Sequence, residues 1–312
     1  MSWKVLITDG LEKEGKAIIS TKDIAEDKKG ITHEDLLAIV ADYDALIVRG
    51  RTKVTEAIFE AGKNLKAVGR MGVGVDNIDL SAAKAHGVTV VNAPVATTLA
   101  VAELTMALML SLVREIPRAD AGMKAEQWLK KELMGTEFSQ KTLGIIGYGN
   151  IGQAVSMRAQ AFDMKVIAYD PIRPSEDIIK SGAEPVDLDT VFMNADILTL
   201  HIPLIPATKH ICNEAAFAKM KDGVKIICAA RGGVIDDACL LAALESGKVS
   251  GAALDVFEVE PPTDWALAKH PKVIAVPHIG AQTQEAQIRA AIDISSEIIN
   301  ALDGLPLRWK IV

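Results

Sequence analysis

An arginine, a glutamate and a histidine each follow an apolar, strand-like run in the second half of the sequence. Arg231 precedes two glycines, so its guanidinium could grip a carboxylate through two parallel hydrogen bonds. His278 carries an imidazole, which titrates near neutral pH. A neighbouring carboxylate, such as that of Glu260, would raise its pKa and fix its tautomer. Together these side chains could bind an organic acid and move a proton.

Each of the three residues also has an ordinary structural interpretation. Arg231 could be a surface residue in a turn, Glu260 one of two acids on a loop, and His278 a satisfied histidine at a strand end. His201 ends a strand as well, and we interpret it as a residue at a cofactor edge rather than as the base. We expect the remaining histidines to be solvated in helix ends or loops: His33, His86, His210 and His270.

A glycine-rich turn organises the middle of the chain. The motif Gly147-Tyr148-Gly149-Asn150-Ile151-Gly152 directly follows a short apolar strand and opens a helix. The first glycine permits the tight turn, the second lets a pyrophosphate approach the backbone, and the third lets the helix pack closely on the strand. The N–H groups at the start of the helix would then point at the phosphates.

An acid closes the next predicted strand, residues 165–169. Asp170 could accept hydrogen bonds from the adenosine ribose hydroxyls, and its charge would repel the extra phosphate of NADP. Arg173 is the one nearby residue that favours NADP, but Pro171 and Pro174 on either side indicate a loop-surface position. The sequence therefore predicts NAD. His278 would remove a hydroxyl proton while hydride leaves the same carbon for the nicotinamide.

Composition narrows the class of protein. The 312 residues are enough for two domains, and 49% apolar with only 4% aromatic residues indicates aliphatic cores of the layered α/β type. A formal net charge of −7 argues against a nucleic acid or an anionic membrane as the main partner. Three cysteines without metal or disulfide spacing, and an N-terminus without a signal peptide, predict a cytoplasmic protein that binds no metal.

Short apolar runs alternate with helical patterns along the whole chain. In the first part we predict strands at residues 5–8, 45–48, 67–68 and 88–91, then a buried helix from about 99 to 116 that Pro117 ends. Residues 118–140 are predicted to be polar and helical, with Trp128 as an oligomer contact or a local anchor. Further strands at 143–146, 165–169, 197–200, 225–228, 252–254 and 273–276 build a second sheet.

These elements predict an α/β protein with two doubly wound parallel-sheet domains. A Rossmann NAD domain, residues 98–284, is inserted in a smaller flavodoxin-like substrate domain formed by residues 1–97 and 285–312. The long helix at 282–302 crosses back to the first domain. We expect the substrate to bind in the cleft between the domains.

The linked motifs resemble the D-2-hydroxyacid dehydrogenase family over essentially the whole chain. They are the glycine turn, Asp170, His201-Ile202-Pro203-Leu204, Ala230-Arg231-Gly232-Gly233, Leu254-Asp255-Val256-Phe257 with Glu260-Pro261-Pro262, and Pro277-His278-Ile279-Gly280. The resemblance implies a catalytic triad of Arg231, Glu260 and His278, a dimer built on the nucleotide domains, and Asp255 near the nicotinamide carboxamide. We therefore expect a homodimer or a higher homo-oligomer. The resemblance also implies cofactor contacts at Val73, Gly147, Gly149, Asn150, Ile151, Gly152, Asp170, His201, Ile202, Pro203, Ala229, Ala230, Arg231, Asp255, His278, Gly280 and Ala281.

Within the family, the sequence resembles the branch that acts on D-3-phosphoglycerate, in a short form without regulatory domains. Its motifs are Leu46-Ile47-Val48-Arg49 with Thr52-Lys53-Val54-Thr55, Gly69-Arg70-Met71-Gly72 through Asn77, and Met134-Gly135-Thr136-Glu137. The implied substrate residues are Arg49, Arg70, Gly74, Arg231 and His278. Arg49 and Arg70 could bind a phosphate, or be ordinary salt-bridge partners. Gly50, Arg51 and Val95-Ala96-Thr97 depart from that branch.

The predicted reaction is NAD-dependent oxidation of D-3-phosphoglycerate to 3-phosphohydroxypyruvate, the first step of serine biosynthesis. A glyoxylate or hydroxypyruvate reductase, which needs no phosphate site, or another D-2-hydroxyacid dehydrogenase is the alternative within the same chemistry. An NADH-sensing corepressor is the alternative outside enzymes. An intact triad disfavours a structural oligomer with a vestigial site, and Glu260 disfavours a formate dehydrogenase, which has Gln there.

Overall fold

The computed structural model describes residues 2–312 and divides into two compact units. The first unit comprises the chain up to Thr97 together with Ala281–Val312, and the second unit is Thr98–Gly280. Each unit is built on one sheet in which all strand pairs of the named strands are parallel. The predicted α/β class with two parallel sheets is confirmed.

The sheet of the first unit has five strands in the order β2-β1-β3-β4-β5, the flavodoxin-like order. The strands are β1 (Lys4–Ile7), β2 (Ile24–Asp27), β3 (Ala45–Val48), β4 (Ala67–Arg70) and β5 (Thr89–Asn92). All four residues of β3 are buried, as expected for a central parallel strand. Strand β2 was not predicted from the sequence, because it is an edge strand with no fully buried residue and two acids.

Five helices cover this sheet, with a short 3₁₀ helix at Val40–Asp42. They are α1 (Lys13–Ile19), α2 (His33–Ile39), α3 (Glu56–Ala61), α4 (Leu80–Ala85) and α13 (Gln284–Leu302). Helix α13 lies against α1 and β4. Glycine makes that approach possible, because a Cβ on Gly69 would lie 2.8 Å from Cγ1 of Ile294.

The segment after α13 is docked on the same unit. The carboxylate of Glu297 is fully buried and accepts backbone N–H bonds from Arg308 at 3.0 Å and Trp309 at 3.1 Å. Ile311 N then donates to Val90 O at 2.8 Å, so the segment runs along the edge of β5. The buried carboxylate thus accepts from backbone N–H groups that have no partner in a helix or a sheet.

The sheet of the second unit has seven strands in the order β12-β11-β10-β9-β6-β7-β8. The strands are β6 (Thr142–Ile146), β7 (Lys165–Tyr169), β8 (Glu184–Pro185), β9 (Ile197–Leu200), β10 (Val224–Cys228), β11 (Val249–Leu254) and β12 (Val273–Ala275). The helices are α5 (Thr98–Val113), α6 (Ile116–Lys124), α7 (Asn150–Gln160), α8 (Ser175–Lys180), α9 (Leu188–Asn194), α10 (Glu214–Lys219), α11 (Asp237–Glu245) and α12 (Ala266–Lys269). The chain order reverses beside β6, where such folds bind ligands.

Two predictions for the region after α5 are wrong. Pro117 does not end the long helix but lies in the first turn of α6, where a missing N–H costs nothing. Residues 125–140 are not helical, because Glu126 adopts φ 59° and Gln127 N donates to Gly122 O at 2.8 Å. This bond closes the end of α6 in the manner of a Schellman motif. No described helix is both long and apolar enough to cross a membrane.

Candidate active site

The glycine turn has the geometry that a dinucleotide requires. Gly147 has φ 93°, and a Cβ there would lie 2.5 Å from the carbonyl oxygen of His201. A Cβ on Gly152 would overlap the carbonyl oxygen of Gly147, whereas a Cβ on Gly149 would have no atom of residues 2–312 within 4 Å. Helix α7 begins at Asn150, and no described side chain caps it. The turn therefore offers an anion open space and a helix N-terminus.

Asp170 faces this turn from the end of β7. Its Oδ2 accepts from Tyr148 N at 2.7 Å, and its Oδ1 accepts from Ile172 N and Arg173 N at 2.8 and 2.9 Å. A carboxylate has about four acceptor positions, so ribose hydroxyls can still bind. Arg173 lies 3.4 Å from a carboxylate oxygen of Asp177, in agreement with a loop-surface role. These residues fit a dinucleotide without a 2′-phosphate.

His201 follows β9, the strand beside β6. Its Nε2 lies 3.1 Å from Thr199 Oγ1, and its Nδ1 has no hydrogen-bond partner within residues 2–312. Burial lowers the pKa of His201 to about 4, so the imidazole is neutral at pH 7. It is therefore poorly suited to exchange protons at neutral pH. This property agrees with its interpretation as a cofactor-edge residue.

His278 and Glu260 form a direct pair. Nδ1 of His278 lies 2.7 Å from Oε2 of Glu260, and their side chains are 49% and 36% exposed. The hydrogen bond to Glu260 raises the pKa of His278, because it stabilises the imidazolium and outweighs burial. Burial works toward a higher pKa of Glu260, but the hydrogen bond and charge of His278 outweigh it and lower that pKa.

A buried aspartate shapes the turn that presents His278. Asp255 Oδ1 accepts from Ile279 N at 2.6 Å, and Oδ2 accepts from Gly280 N at 2.8 Å. The backbone N–H of His278 donates to Asp255 O at 2.9 Å, while His278 has φ 52°. Burial raises the pKa of Asp255 despite these two bonds. The carboxylate thus holds a left-handed backbone, a conformation that is uncommon for residues other than glycine.

Arg231 lies close to the same pair. Its positive charge contributes to a lower pKa at both Glu260 and His278, and its Nη1 donates to Ala230 O at 2.7 Å. A Cβ on Gly232 would overlap the carbonyl oxygen of Phe257, so the loop of Arg231 and the loop of Glu260 are in direct contact. The structure therefore brings the three residues of the predicted triad together.

The comparisons with known proteins agree with this geometry. Residues 106–280 match the family described as D-isomer specific 2-hydroxyacid dehydrogenase, NAD binding domain. A hydroxypyruvate reductase of Thermotoga maritima is 48% identical over 304 residues, covering 96% of this chain and 98% of that protein. The chain belongs to the D-isomer-specific 2-hydroxyacid dehydrogenases. It is an oxidoreductase, and its cofactor is NAD(H).

Other relatives of this dehydrogenase differ in length and named substrate. A D-3-phosphoglycerate dehydrogenase of Bacillus subtilis is 46% identical over 307 residues, and the chain spans 58% of that protein's length. The crystal structure of a glyoxylate reductase from Paecilomyes thermophila matches with a TM-score of 0.92 at 30% identity, covering 99% of this chain and 98% of that one. These relatives share one family, but the activities in their names differ.

The hydrogen bond between His278 and Glu260 determines which nitrogen of the imidazole is available to exchange a proton. When the imidazole is neutral and Nδ1 donates to Glu260, Nε2 is left as the proton acceptor. After Nε2 takes a proton, the charge of Glu260 stabilises the imidazolium. Bound NAD supplies the hydride acceptor, and Arg231 can hold the carboxylate of a 2-hydroxy acid.

The predicted substrate residues of the first unit have partners of their own. Arg49 follows β3, and its Nη2 lies 2.6 Å from both carboxylate oxygens of Glu12. Arg70 ends β4, and its Nη1 donates to Met71 O at 3.1 Å. Near them, Val73 O accepts from Asn92 Nδ2 at 2.6 Å, which fixes the segment leading to Gly74.

One histidine has a partner that the sequence did not indicate. His210 lies in a loop, as expected, and its side chain is 31% exposed, but its Nε2 lies 2.7 Å from Glu258 Oε1. The two residues are 48 positions apart, so no local spacing in the sequence indicates the pair. Glu258 lies two positions before Glu260, which connects this histidine with the loop of the triad.

Proposed function

We propose that this dehydrogenase interconverts D-3-phosphoglycerate and 3-phosphohydroxypyruvate with NAD(H), the reaction that opens serine biosynthesis. The observation that carries the proposal is a pair of arginines at the carboxyl edge of the first unit's sheet. Arg49 directly follows β3, Arg70 ends β4, and the two strands pair with Val48 opposite Arg70. Two guanidinium groups at one edge are suited to a phosphate, which forms bidentate bonds with arginine.

In the direction of oxidation, Nε2 of His278 accepts the proton of the C2 hydroxyl. Glu260 keeps the ring in place through Nδ1 and stabilises the charge that develops on it. Arg231 binds the substrate carboxylate and orients C2. In the direction of reduction, the protonated His278 returns the proton to the C2 oxygen.

The second candidate is reduction of hydroxypyruvate, and a specific observation favours it. Glu12 engages Nη2 of Arg49 with both oxygens, and the two side chains are only 25% and 27% exposed. A phosphate would have to compete with this carboxylate for Arg49. The Thermotoga maritima relative, which the chain matches over 98% of its length, is named a hydroxypyruvate reductase.

The deciding experiment follows NADH absorbance with 3-phosphohydroxypyruvate, hydroxypyruvate and glyoxylate in turn. The first candidate predicts a strong preference for the phosphorylated acid. Arg49→Gln and Arg70→Gln should each raise its KM by roughly tenfold or more, since a charge-assisted bond contributes about 1.5–3 kcal/mol. Lys13→Gln, at a 92% exposed cation of the same unit, is the control and should leave KM unchanged.

Glu12→Gln separates the two candidates further. If Arg49 binds the phosphate, removal of the competing charge should lower the KM for the phosphorylated acid and leave that for hydroxypyruvate unchanged. If hydroxypyruvate is preferred and neither arginine variant changes KM, the phosphate proposal is wrong and the second candidate is supported. NADH binding without turnover of any of the three acids would favour the corepressor alternative.

We also propose that the protein is a homodimer formed through its second unit. Supporting this are two large apolar side chains in the segment after α6, Trp128 at 76% exposure and Met134 at 86%. Light scattering should give twice the chain mass for the wild type. Trp128→Ala should shift it toward the monomer, and an unchanged mass would exclude Trp128 from the contact.

A further inference from the structure

We propose that His210 is a positioning residue that ties the loop of Arg231 to the loop of Glu260. The inference rests on the proposed roles of Arg231 and Glu260 in the dehydrogenase reaction. His210 touches none of the triad side chains in the bonds described above. It acts instead through Glu258 and through the backbone after Arg231.

The first connection runs to the loop of Glu260. Nε2 of His210 lies 2.7 Å from Oε1 of Glu258, two positions before Glu260. The backbone N–H of Glu258 also donates to Asp237 Oδ2, at 3.1 Å. The loop is therefore held at Glu258 by both its side chain and its backbone. Further along, Phe257 N donates to Glu260 Oε1 at 3.1 Å, so the orientation of the catalytic carboxylate depends on this short stretch.

The second connection runs to the loop of Arg231. The backbone N–H of His210 donates to Gly233 O at 2.8 Å, two positions after Arg231. Cys212 extends the contact, because its N–H donates to Val234 O at 3.3 Å and its carbonyl accepts from Asp236 N at 3.0 Å. One residue thus bonds to the two loops that place Arg231 and Glu260.

The backbone conformation of His210 also indicates that the surrounding structure holds this residue in place. His210 has φ 51°, nearly the same as the 52° of His278. Among residues other than glycine this region is uncommon, although Asn, Asp and His adopt it more often than the rest, and the surrounding structure must hold it in place. The bonds to Gly233 and Glu258 are such constraints.

Acidic groups surround the imidazole. Nδ1 of His210 lies 3.7 Å from Asp236 Oδ2, opposite the bond from Nε2 to Glu258. Asp237 faces the same cluster, and burial raises its pKa. Without the histidine, Glu258 would lie beside Asp236 and Asp237 with no donor from this side. Repulsion would then favour movement of Glu258, and with it the loop of Glu260.

The test compares two substitutions at His210. Asn tolerates the left-handed backbone but is too short to reach Glu258, whereas Gln places an amide N–H near the position of Nε2. His210→Asn should lower kcat about tenfold to a hundredfold, as for a misplaced catalytic group, with KM for NADH within about twofold. His210→Gln should recover most of the loss. His33→Asn, at an exposed histidine of the first unit, is the control and should leave kcat unchanged.

A second readout needs neither substrate nor turnover. The imidazole of His278 is titrated by NMR with ¹⁵N-labelled histidine, assigned by comparison with His278→Gln. In His210→Asn the midpoint should move toward the ordinary value for histidine, because Glu260 is no longer held against Nδ1, and His210→Gln should restore it. This readout still decides the inference if the protein turns over a different acid, or none, and the proposed function fails.

Coupling to Glu258 completes the test. If His210 acts through Glu258, the double variant of His210→Asn with Glu258→Gln should lose no more activity than His210→Asn alone. Additive losses would contradict that route. A kcat of His210→Asn within about twofold of wild type, with an unchanged His278 titration, would overturn the inference even if the variant melts at a lower temperature. That outcome would make His210 a purely local structural residue.

Discussion

Two glycines of the dinucleotide turn, two positions apart, should respond in opposite ways to the same substitution. Gly147 has φ 93°, and an added Cβ would lie 2.5 Å from His201 O. Gly149 has φ −72° and ψ −162°, and an added Cβ would have no described atom within 4 Å. Gly147→Ala should therefore damage the fold, and Gly149→Ala should damage only cofactor binding.

The magnitudes follow from these contacts. For Gly147→Ala, the left-handed backbone costs ~1–2 kcal/mol and the overlap with His201 O a further ~1–3 kcal/mol, so the free energy of unfolding falls by ~2–5 kcal/mol. For Gly149→Ala, the loss of unfolded-state entropy stabilises by ~0.4–1 kcal/mol, which the weaker N-cap of alanine offsets. The methyl group would occupy the space through which a pyrophosphate reaches α7, so Kd for NADH should rise at least ~tenfold, or ~1.4 kcal/mol.

Urea unfolding followed by circular dichroism and NADH titration followed by fluorescence measure the two effects separately. Gly149→Ala should keep the wild-type urea midpoint and lose NADH affinity. Gly147→Ala should have a clearly lower midpoint without NADH present. If Gly149→Ala bound NADH within about twofold of wild type, the assignment of this space to the pyrophosphate would be wrong. If Gly147→Ala unfolded at the wild-type midpoint, the steric reasoning would be wrong.

Three further predictions follow from buried or paired groups. Glu260→Gln removes the carboxylate charge that raises the pKa of His278, so the pH midpoints of both oxidation and reduction should move to lower pH in initial-rate profiles. The stability that this pair contributes is present below the ordinary histidine pKa, roughly 6.5, and is lost as pH rises through the raised pKa, so Glu260→Gln should lose least stability at high pH. Glu297→Ala leaves two partly buried backbone donors without their acceptor and should lower the free energy of unfolding by about 2–4 kcal/mol in a urea titration, whereas an unchanged value would show that the chain-end segment docks without it. Burial raises the pKa of Cys228 to about 12 and also raises that of Cys212, so neither thiol should react with Ellman's reagent at pH 8 until urea unfolds the protein.

The central strands could be predicted from the sequence because they are apolar on both faces. Strands β3, β7 and β9 have the predicted bounds, and each is a short run of aliphatic residues between polar turns. The edge strand β2 lacks this signal, since solvent on its outer side admits acids. The end of α6 was mispredicted because the helix ends at a single left-handed residue, Glu126. The hydrophobic periodicity of the sequence does not indicate such a residue.

The three triad residues could be predicted because each one follows a strand, and the three strands are adjacent in the sheet. Arg231, Glu260 and His278 follow β10, β11 and β12, which are adjacent in the sheet. Parallel strands end at one edge, so polar residues that follow adjacent strands meet there. The pair of His210 and Glu258 has no such indicator, because His210 lies in a long connection after β9 and its position depends on tertiary contacts alone.

The same reasoning explains why the three triad residues could be predicted from the sequence, whereas the roles of the residues that support them could not. An acid/base residue is recognisable by its type at a strand end, but Asp255 works by accepting two backbone N–H bonds from the turn that carries His278. Gly232 works by the absence of a side chain where Phe257 O approaches. Both roles are set by backbone geometry around left-handed or tightly packed residues, and such geometry exists only once the loops have folded together. Positioning at this site is therefore a property of the loops as a set, which is why a histidine outside the triad can control it.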